Sequence, residues 1–320
     1  MTYLPQIKIL VPSAQVSSYT TGSFNLPSAR LSFYTGDRGL FGVRTTDVTV
    51  EYITISSTGN GTNFGDATVS RGTSQACGSS TRILFAGGGT GGGPSNVIDY
   101  FTSASLGNAI DFGDLSEGRS ALAGFASPTR GVFAGGNPGP GSATTFTVDY
   151  VTMATTGNAL DFGDLTLARR QPGGASNTTR GLIFMGENTS SVGQNVIDYI
   201  TIASTGNAID FGDSTTARSD VYSGCASSTR ALHSPGYIDQ TNIGYVTIAS
   251  TGNATNFGTL STRYGQWALS NKIRGVFGNG TGTNMEYVTI ASTGNAATFG
   301  TAIQTTSVPS GASDCGGGTE

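Results

Sequence analysis

The chain has 320 residues, 49 of them glycine, and only 11% are charged, less than half the ~25% of an ordinary soluble domain. A net charge of −4 and a pI near 5.0 leave no basic surplus for a phosphate backbone, so no nucleic-acid partner is expected. No apolar run approaches the ~20 residues of a membrane helix, and no basic stretch followed by an apolar block opens the chain. Neither membrane insertion nor conventional secretion is therefore expected.

One segment recurs six times along the chain. Its clearest copy opens with Arg180-Gly181-Leu182-Ile183-Phe184 and continues, after a loop, with Val196-Ile197-Asp198-Tyr199-Ile200-Thr201-Ile202. Thr205-Gly206-Asn207, Ala208-Ile209-Asp210-Phe211-Gly212-Asp213 and Ala217-Arg218 complete it. The leading arginines are Arg38, Arg82, Arg130, Arg180, Arg230 and Arg274, spaced by 44, 48, 50, 50 and 44 residues. Periods in the forties belong to propeller blades or to helical solenoids. No stretch carries a 3.6-residue apolar stripe, and β-branched residues fill the apolar runs, so strands are expected.

Each unit predicts four strands. The first is small and Gly-rich, as in 169–176; the second, 181–185, is continuously apolar; the third, 196–203, alternates; the fourth, 208–213, is short. Gly59-Asn60, Gly107-Asn108, Gly157-Asn158, Gly206-Asn207, Gly252-Asn253 and Gly294-Asn295 separate the last two strands, which predicts hairpin turns. Regular units span 30–70, 71–118, 119–168, 169–217, 218–262 and 263–304. Segments 1–29 and 305–320 together approach one further period. The expectation is a single all-β domain over 1–320, a propeller of seven four-stranded antiparallel blades closed jointly by both termini; six blades with separate tails is the alternative.

Charges also follow the repeat. Arg30, Arg71, Arg119, Arg169, Arg218 and Arg263 form a second recurring set, and Asp99, Asp149 and Asp198 precede the third-strand tyrosines, as do Glu51 and Glu286. Asp198 shares a strand face with Val196, Ile200 and Ile202, and a carboxylate on an apolar face needs a partner. A structural ion-pair ladder is expected, joining repeat arginines (Arg38, Arg82, Arg130, Arg180, Arg230 and Arg274 among them) to Asp99, Asp149 and Asp198. The fourth-strand acids Asp111, Asp161, Asp210, Asp66, Asp114, Asp164 and Asp213 are assigned to the scaffold as well.

The pattern resembles kelch-type β-propellers, which carry a Gly doublet after an apolar strand, a tyrosine-bearing strand, and an aromatic before a closing arginine. Here these are Gly87-Gly88 and Gly135-Gly136, Tyr52, Tyr100, Tyr150, Tyr199, Tyr245 and Tyr287, and Phe64, Phe112, Phe162, Phe211, Phe257 and Phe299. The kelch tryptophan is absent, and the doublet is lost in units such as Met185-Gly186 and Gly278-Asn279. The Ser-Thr-Gly-Asn-Ala and Asp-Phe-Gly-Asp strings are also similar to repeat propellers of tailed phages, cyanophages among them. That resemblance implies a virion component of capsid, tail or fibre.

Catalytic, cofactor and metal sites are not expected. Asp-Phe-Gly is a kinase metal triplet only beside a catalytic loop, and its three evenly spaced copies read as structure. Gly87 to Gly93 lacks the Lys-Ser/Thr ending of a phosphate loop. No EF-type calcium spacing occurs. The non-repeat acids Asp47, Glu117, Glu187, Asp220 and Asp239 do not pair as glycosidase carboxylates would. Cys77 and Cys225 occupy equivalent positions, which predicts buried thiols, and Cys315 has no assignment. The only histidine, His233, together with Tyr237 and the only tryptophan, Trp267, marks where the repeat is most edited; these three are the candidate partner contacts. Variable loops between second and third strands share one rim, where recognition usually lives.

The reading that follows is a non-enzymatic structural or attachment propeller of a virion, contacting other virion proteins or a host surface glycan or protein. A bacterial extracellular, lectin-like propeller is the alternative, and a propeller glycosidase or oxidase the third.

Overall fold

A computed structural model describes residues 37–261, 266–278, 282–304 and 310–313. Among these every regular element is a β-strand, and the strands assemble as six four-stranded antiparallel sheets plus a short hairpin, Gly89–Thr90 with Gly93–Pro94. Five sheets are continuous in sequence. In the second blade, for example, Gln75–Gly78, Arg82–Ala86, Val97–Thr102 and Ile110–Asp114 run from innermost to outermost.

The number of blades corrects the expected seven. Ser310–Ser313 pairs with Arg38–Arg44 (Gly39 opposite Ser313, Phe41 opposite Gly311) and is thus the innermost strand of the first blade. Asp47–Thr54 and Thr62–Asp66 complete that sheet. The C-terminal segment therefore fills a vacancy in an existing blade rather than starting another, and the innermost strands contact one another around a closed ring of six. The expected contribution of 1–29, and Arg30, Arg263 and Cys315, lie outside the described residues. Annular closure covers the apolar sheet face that a linear array of blades would leave exposed at each end.

Blades face their neighbours, so each apolar face is buried only against the next blade. The six core clusters accordingly each draw on residues from adjacent blades: Leu84 and Phe112 of the second lie with Phe133 and Val151 of the third. Near-identical blades could be joined in the wrong order, and one position shows how this is avoided. The penultimate place of the repeat's inner strand packs against the first residue after the leading arginine of the next blade. Phe125 meets Gly181, Leu269 meets Gly39, Cys77 meets Gly131 and Cys225 meets Gly275. Where the inner residue is small, the partner keeps a side chain: Ala175 shares a cluster with Ala231, and Ala312 with Ile83. Five different size matches thus serve the six interfaces, Cys against Gly being used twice.

The turn between third and fourth strands does more than reverse the chain. Its glycine N–H donates to the phenylalanine carbonyl of the preceding blade (Gly157 to Phe112, 2.8 Å), and its asparagine Oδ1 accepts from the next residue but one (Asp114 N to Asn158, 3.1 Å). Equivalent bonds recur at all six junctions, from Asp66 N to Asn108 through to Thr301 N to Asn60. Gly107, Gly157, Gly206 and Gly252 hold φ near +155, a region essentially closed to other residues. The glycine of Asp-Phe-Gly is explained by the same docking: a Cβ on Gly113 would lie 2.6 Å from the carbonyl of Gly157.

Replacing Gly181 by Val should cost about 1–3 kcal/mol, because the added atoms would fall inside the Phe125 ring. Phe125→Ala alone should cost about 3–5 kcal/mol. Combined in one chain, the two should cost clearly less than their sum in urea unfolding; strict additivity would refute the size match.

Candidate interaction surfaces

Two rims and an outer wall surround the ring. On one rim lie the leading arginines and the Thr-Gly-Asn turns; on the other lie the variable loops and the connections between blades.

The leading arginines do not form the ladder expected of them with Asp99, Asp149 and Asp198. Each guanidinium instead lies over its own blade's tyrosine, 4.5 to 5.0 Å from the ring centroid in all six blades. Each then donates to a main-chain carbonyl of the next blade. Arg38 reaches Ser103 (2.6 Å), Arg82 Met153 (2.9 Å), Arg130 Ile202 (2.8 Å), Arg180 Ile248 (2.8 Å), Arg230 Ala291 (2.7 Å) and Arg274 Ser56 (2.8 Å). The last bond joins the sixth blade to the first. The tyrosine in turn sits edge-on to the fourth-strand phenylalanine, as for Tyr150 and Phe162 at 5.8 Å.

The acids are taken by the second arginine set. Arg71 pairs with Asp99 (2.9 Å), Arg119 with Asp149 (2.5 Å) and Arg169 with Asp198 (2.9 Å), all six side chains fully buried. Each carboxylate also accepts from the connection entering its blade; Thr166, for instance, gives Asp198 both its N–H (3.1 Å) and its hydroxyl (2.6 Å). The choice of partner follows from position. The second-set arginine and the connection lie at the same blade junction as the third-strand acid, whereas the leading arginine starts the second strand at the opposite rim. In the first blade Arg44, outside both recurring sets, pairs with Glu51 at 3.3 Å.

In the fifth blade the acid position is Gly244, and the arrangement changes around it. Arg218 turns to Asp239 (2.8 Å), and the His233 ring occupies the space that a Gly244 side chain would need. His233 is fully buried, with Nδ1 3.0 Å from the Ser234 carbonyl oxygen and Nε2 3.4 Å from Ser214 Oγ. Burial, together with the nearby Arg218 charge, pushes its pKa down to about 3.

The proposed contact trio is therefore not a surface. His233 repacks a missing carboxylate. Trp267 is also buried, stacked on Phe41 with ring centroids 4.0 Å apart across the junction of the sixth and first blades, in room left by Gly278. Only Tyr237 is exposed (55%), beside Ile238 on the loop rim. Cys77 and Cys225 are buried thiols, as their matching positions imply, and burial drives the Cys77 pKa up to about 12.

Three of the non-repeat acids have cationic partners. Asp47 pairs with Arg44 (3.3 Å), Asp239 with Arg218, and Glu187 with Arg170, whose Nε donates at 2.7 Å. Arg170 also donates to the Gly141 carbonyl (3.1 Å), tying the third blade's loop to the fourth. Glu117 accepts from Thr145 and Thr147. Asp220, its carboxyl raised by burial, neighbours Tyr222.

Tyr222 closes the axis on the loop-rim side: Gln75 of the second blade donates to its carbonyl (2.6 Å), and Gln171 to its hydroxyl (2.9 Å). Tyr222 leads into the inner strand of the fifth blade, which lies opposite the second in a ring of six. The inner strands line an axial pocket of about 60 Å³, partly open to solvent, with residues such as Gly78, Ala126, Ser176, Cys225 and Ser313 on its wall. It has room for a few waters, at ~10–15 Å³ each, but not for a sugar ring.

The outer wall carries the fourth-strand acids. Asp66, Asp111, Asp114, Asp161, Asp164, Asp210 and Asp213 lie on exposed or half-exposed outermost-strand positions, and none forms an ion pair among the described residues. The distinguishing signal is the strand's start, where two successive residues precede the buried phenylalanine in a strand that has no outer neighbour.

No family model matches the chain, and no curated protein matches it either.

Two expectations follow. Asp149→Asn, which leaves Arg119 charged and buried, should lower stability by about 3–5 kcal/mol in denaturant unfolding. His233 has a folded pKa below its unfolded ~6.5, so its contribution is complete above pH ~6.5 and declines toward pH 3. Between pH 6.5 and 5 this should remove about 2 kcal/mol. His233→Phe, the residue at this position in the second and third blades, should flatten that part of the stability–pH curve; an unchanged slope would refute the assignment.

Proposed function

We propose that this protein is a non-enzymatic docking propeller, serving as a structural or attachment component of a phage particle and contacting other virion proteins or a host surface. The observation that carries this reading is the fate of its reactive side chains. The histidine and two cysteines are buried, and the third-strand acids are locked to arginines or to main-chain donors. What the ring offers to the outside is a rigid frame bearing varied loops and an acidic wall. Such a frame suits recognition, in which the scaffold supplies rigidity and the periphery supplies contacts.

The similarity of its Ser-Thr-Gly-Asn-Ala and Asp-Phe-Gly-Asp strings to phage-encoded repeat propellers supplies the setting. Blade junctions closed by main-chain bonds, buried ion pairs and stacked rings suit a part that must keep its shape in an assembly.

Mass spectrometry of purified particles should find the chain in stoichiometric amount, resistant to washing at moderate salt. Its absence from particles, combined with binding on a glycan array, would replace this reading by that of a secreted lectin-like propeller.

A further inference from the structure

The six outermost strands form an internal comparison. In the second, third and fourth blades they read Ile110-Asp111-Phe112-Gly113-Asp114, Leu160-Asp161-Phe162-Gly163-Asp164 and Ile209-Asp210-Phe211-Gly212-Asp213. In the fifth, sixth and first they read Thr255-Asn256-Phe257-Gly258-Thr259, Ala297-Thr298-Phe299-Gly300-Thr301 and Thr62-Asn63-Phe64-Gly65-Asp66. The buried phenylalanine and the closely approached glycine are the same in all six. Only the outward positions differ, and they differ by half-ring.

A requirement of folding would act on every blade, because every blade builds this strand with the same register and the same docked turn. The fifth and sixth blades do so with threonine, asparagine and alanine. The aliphatic and acidic residues of the other half are therefore unnecessary for the strand. They are also unfavourable in isolation. Ile110, Leu160 and Ile209 are 56%, 60% and 57% exposed, and Leu106, in the turn before Ile110, is exposed beside them. Six carboxylates stand on the same three strands with no cation paired to them among the described residues.

We infer that the outer wall of the second to fourth blades is a docking surface for a basic protein partner that presents lysine or arginine together with apolar side chains. Charge complementarity fixes the sign of the partner, and three exposed aliphatic residues, one on each successive blade, supply the desolvated contacts within a charged surround. The partner docks through side chains and does not add a strand. The edge groups at the phenylalanine and the last aspartate are already engaged by the next blade's turn, as Phe112 O is by Gly157 N and Asp114 N by Asn158. A blocked edge also keeps copies of the chain from pairing edge to edge.

This inference rests on the docking role proposed above and supplies the chemistry of the partner. Its test uses the full chain and a labelled synthetic peptide of alternating lysine and leucine, with a glutamate–leucine peptide of the same length as control, read by fluorescence anisotropy. The lysine–leucine peptide should bind, with affinity falling at least tenfold between 50 and 300 mM salt as expected for charge-led docking. The half-ring is then rewritten with residues that the opposite half already carries: Ile110→Thr, Leu160→Thr and Ile209→Thr in one variant, Asp111→Asn, Asp161→Asn and Asp210→Asn in another. Both variants should keep wild-type thermal unfolding, and each should weaken binding at least tenfold. The reverse change in the fifth blade, Thr255→Ile with Asn256→Asp and Thr259→Asp, should strengthen it. Equal binding of the two peptides, or wild-type affinity in either rewritten variant, overturns the inference. Particle membership is measured separately, so a protein absent from particles that still shows the half-ring effect would retain this surface and lose only its proposed setting.

Discussion

A radial sheet has two apolar faces and can bury neither alone, so every blade depends on being docked against its successor. The docking runs in one direction around the ring. A blade's leading arginine reaches a carbonyl of the next blade, the next blade's glycine turn caps the outer strand behind it, and the next blade's acid receives the connection entering it. Each of these bonds is modest; a buried hydrogen bond contributes on the order of 1 kcal/mol net. Repeated at every junction and closed on themselves, they leave no terminal blade exposed. The stability of the fold is in this sense a property of the closed cycle.

The arginines show two physical solutions to one problem. A guanidinium has five donors in a plane and is difficult to bury without satisfying them. Arg71, Arg119 and Arg169 accept full burial by meeting a carboxylate, although the Nε of each is left without a hydrogen-bond partner; desolvation pulls their pKa down and the paired acid opposes that pull. The leading set avoids a charged partner by lying over a tyrosine ring and giving its edge to a carbonyl. The first arrangement specifies which elements meet at a junction more securely than it stabilises them. The second tolerates partial exposure and is the same in all six blades.

Much of this was legible in the sequence. The period, the lack of a helical stripe and the recurring Gly-Asn gave blades, and matching positions placed both cysteines inside. The blade count was not legible, because Ser310-Gly311-Ala312-Ser313 reads as an inner strand without saying which sheet it joins; only pairing with Arg38–Arg44 decides that. Partner choice among the arginines was hidden for a similar reason, since both sets recur with the same period. His233 and Trp267 were misjudged because an edited repeat position signals a change of packing as readily as a contact. His233 answers the loss of a carboxylate at Gly244, and Trp267 answers the loss of a side chain at Gly278. The exposure of the fourth-strand acids was not legible either, because regular spacing assigns a residue to the repeat without saying which side of the strand it faces.

The unequal volumes at the blade junctions bear on how such a chain can change in evolution. Near-identical repeats invite unequal recombination, which would delete or duplicate a whole unit without disturbing the reading frame. Losing the third unit would set Cys77 against Gly181 and open a void where the Phe125 ring had been; losing the fourth would drive that ring into the Ala231 methyl group. Either product keeps perfect blades and a faulty seam. The junctions thus act as a checksum against the loss of either of these single units, one that permits surface residues to drift while penalising a misjoined seam.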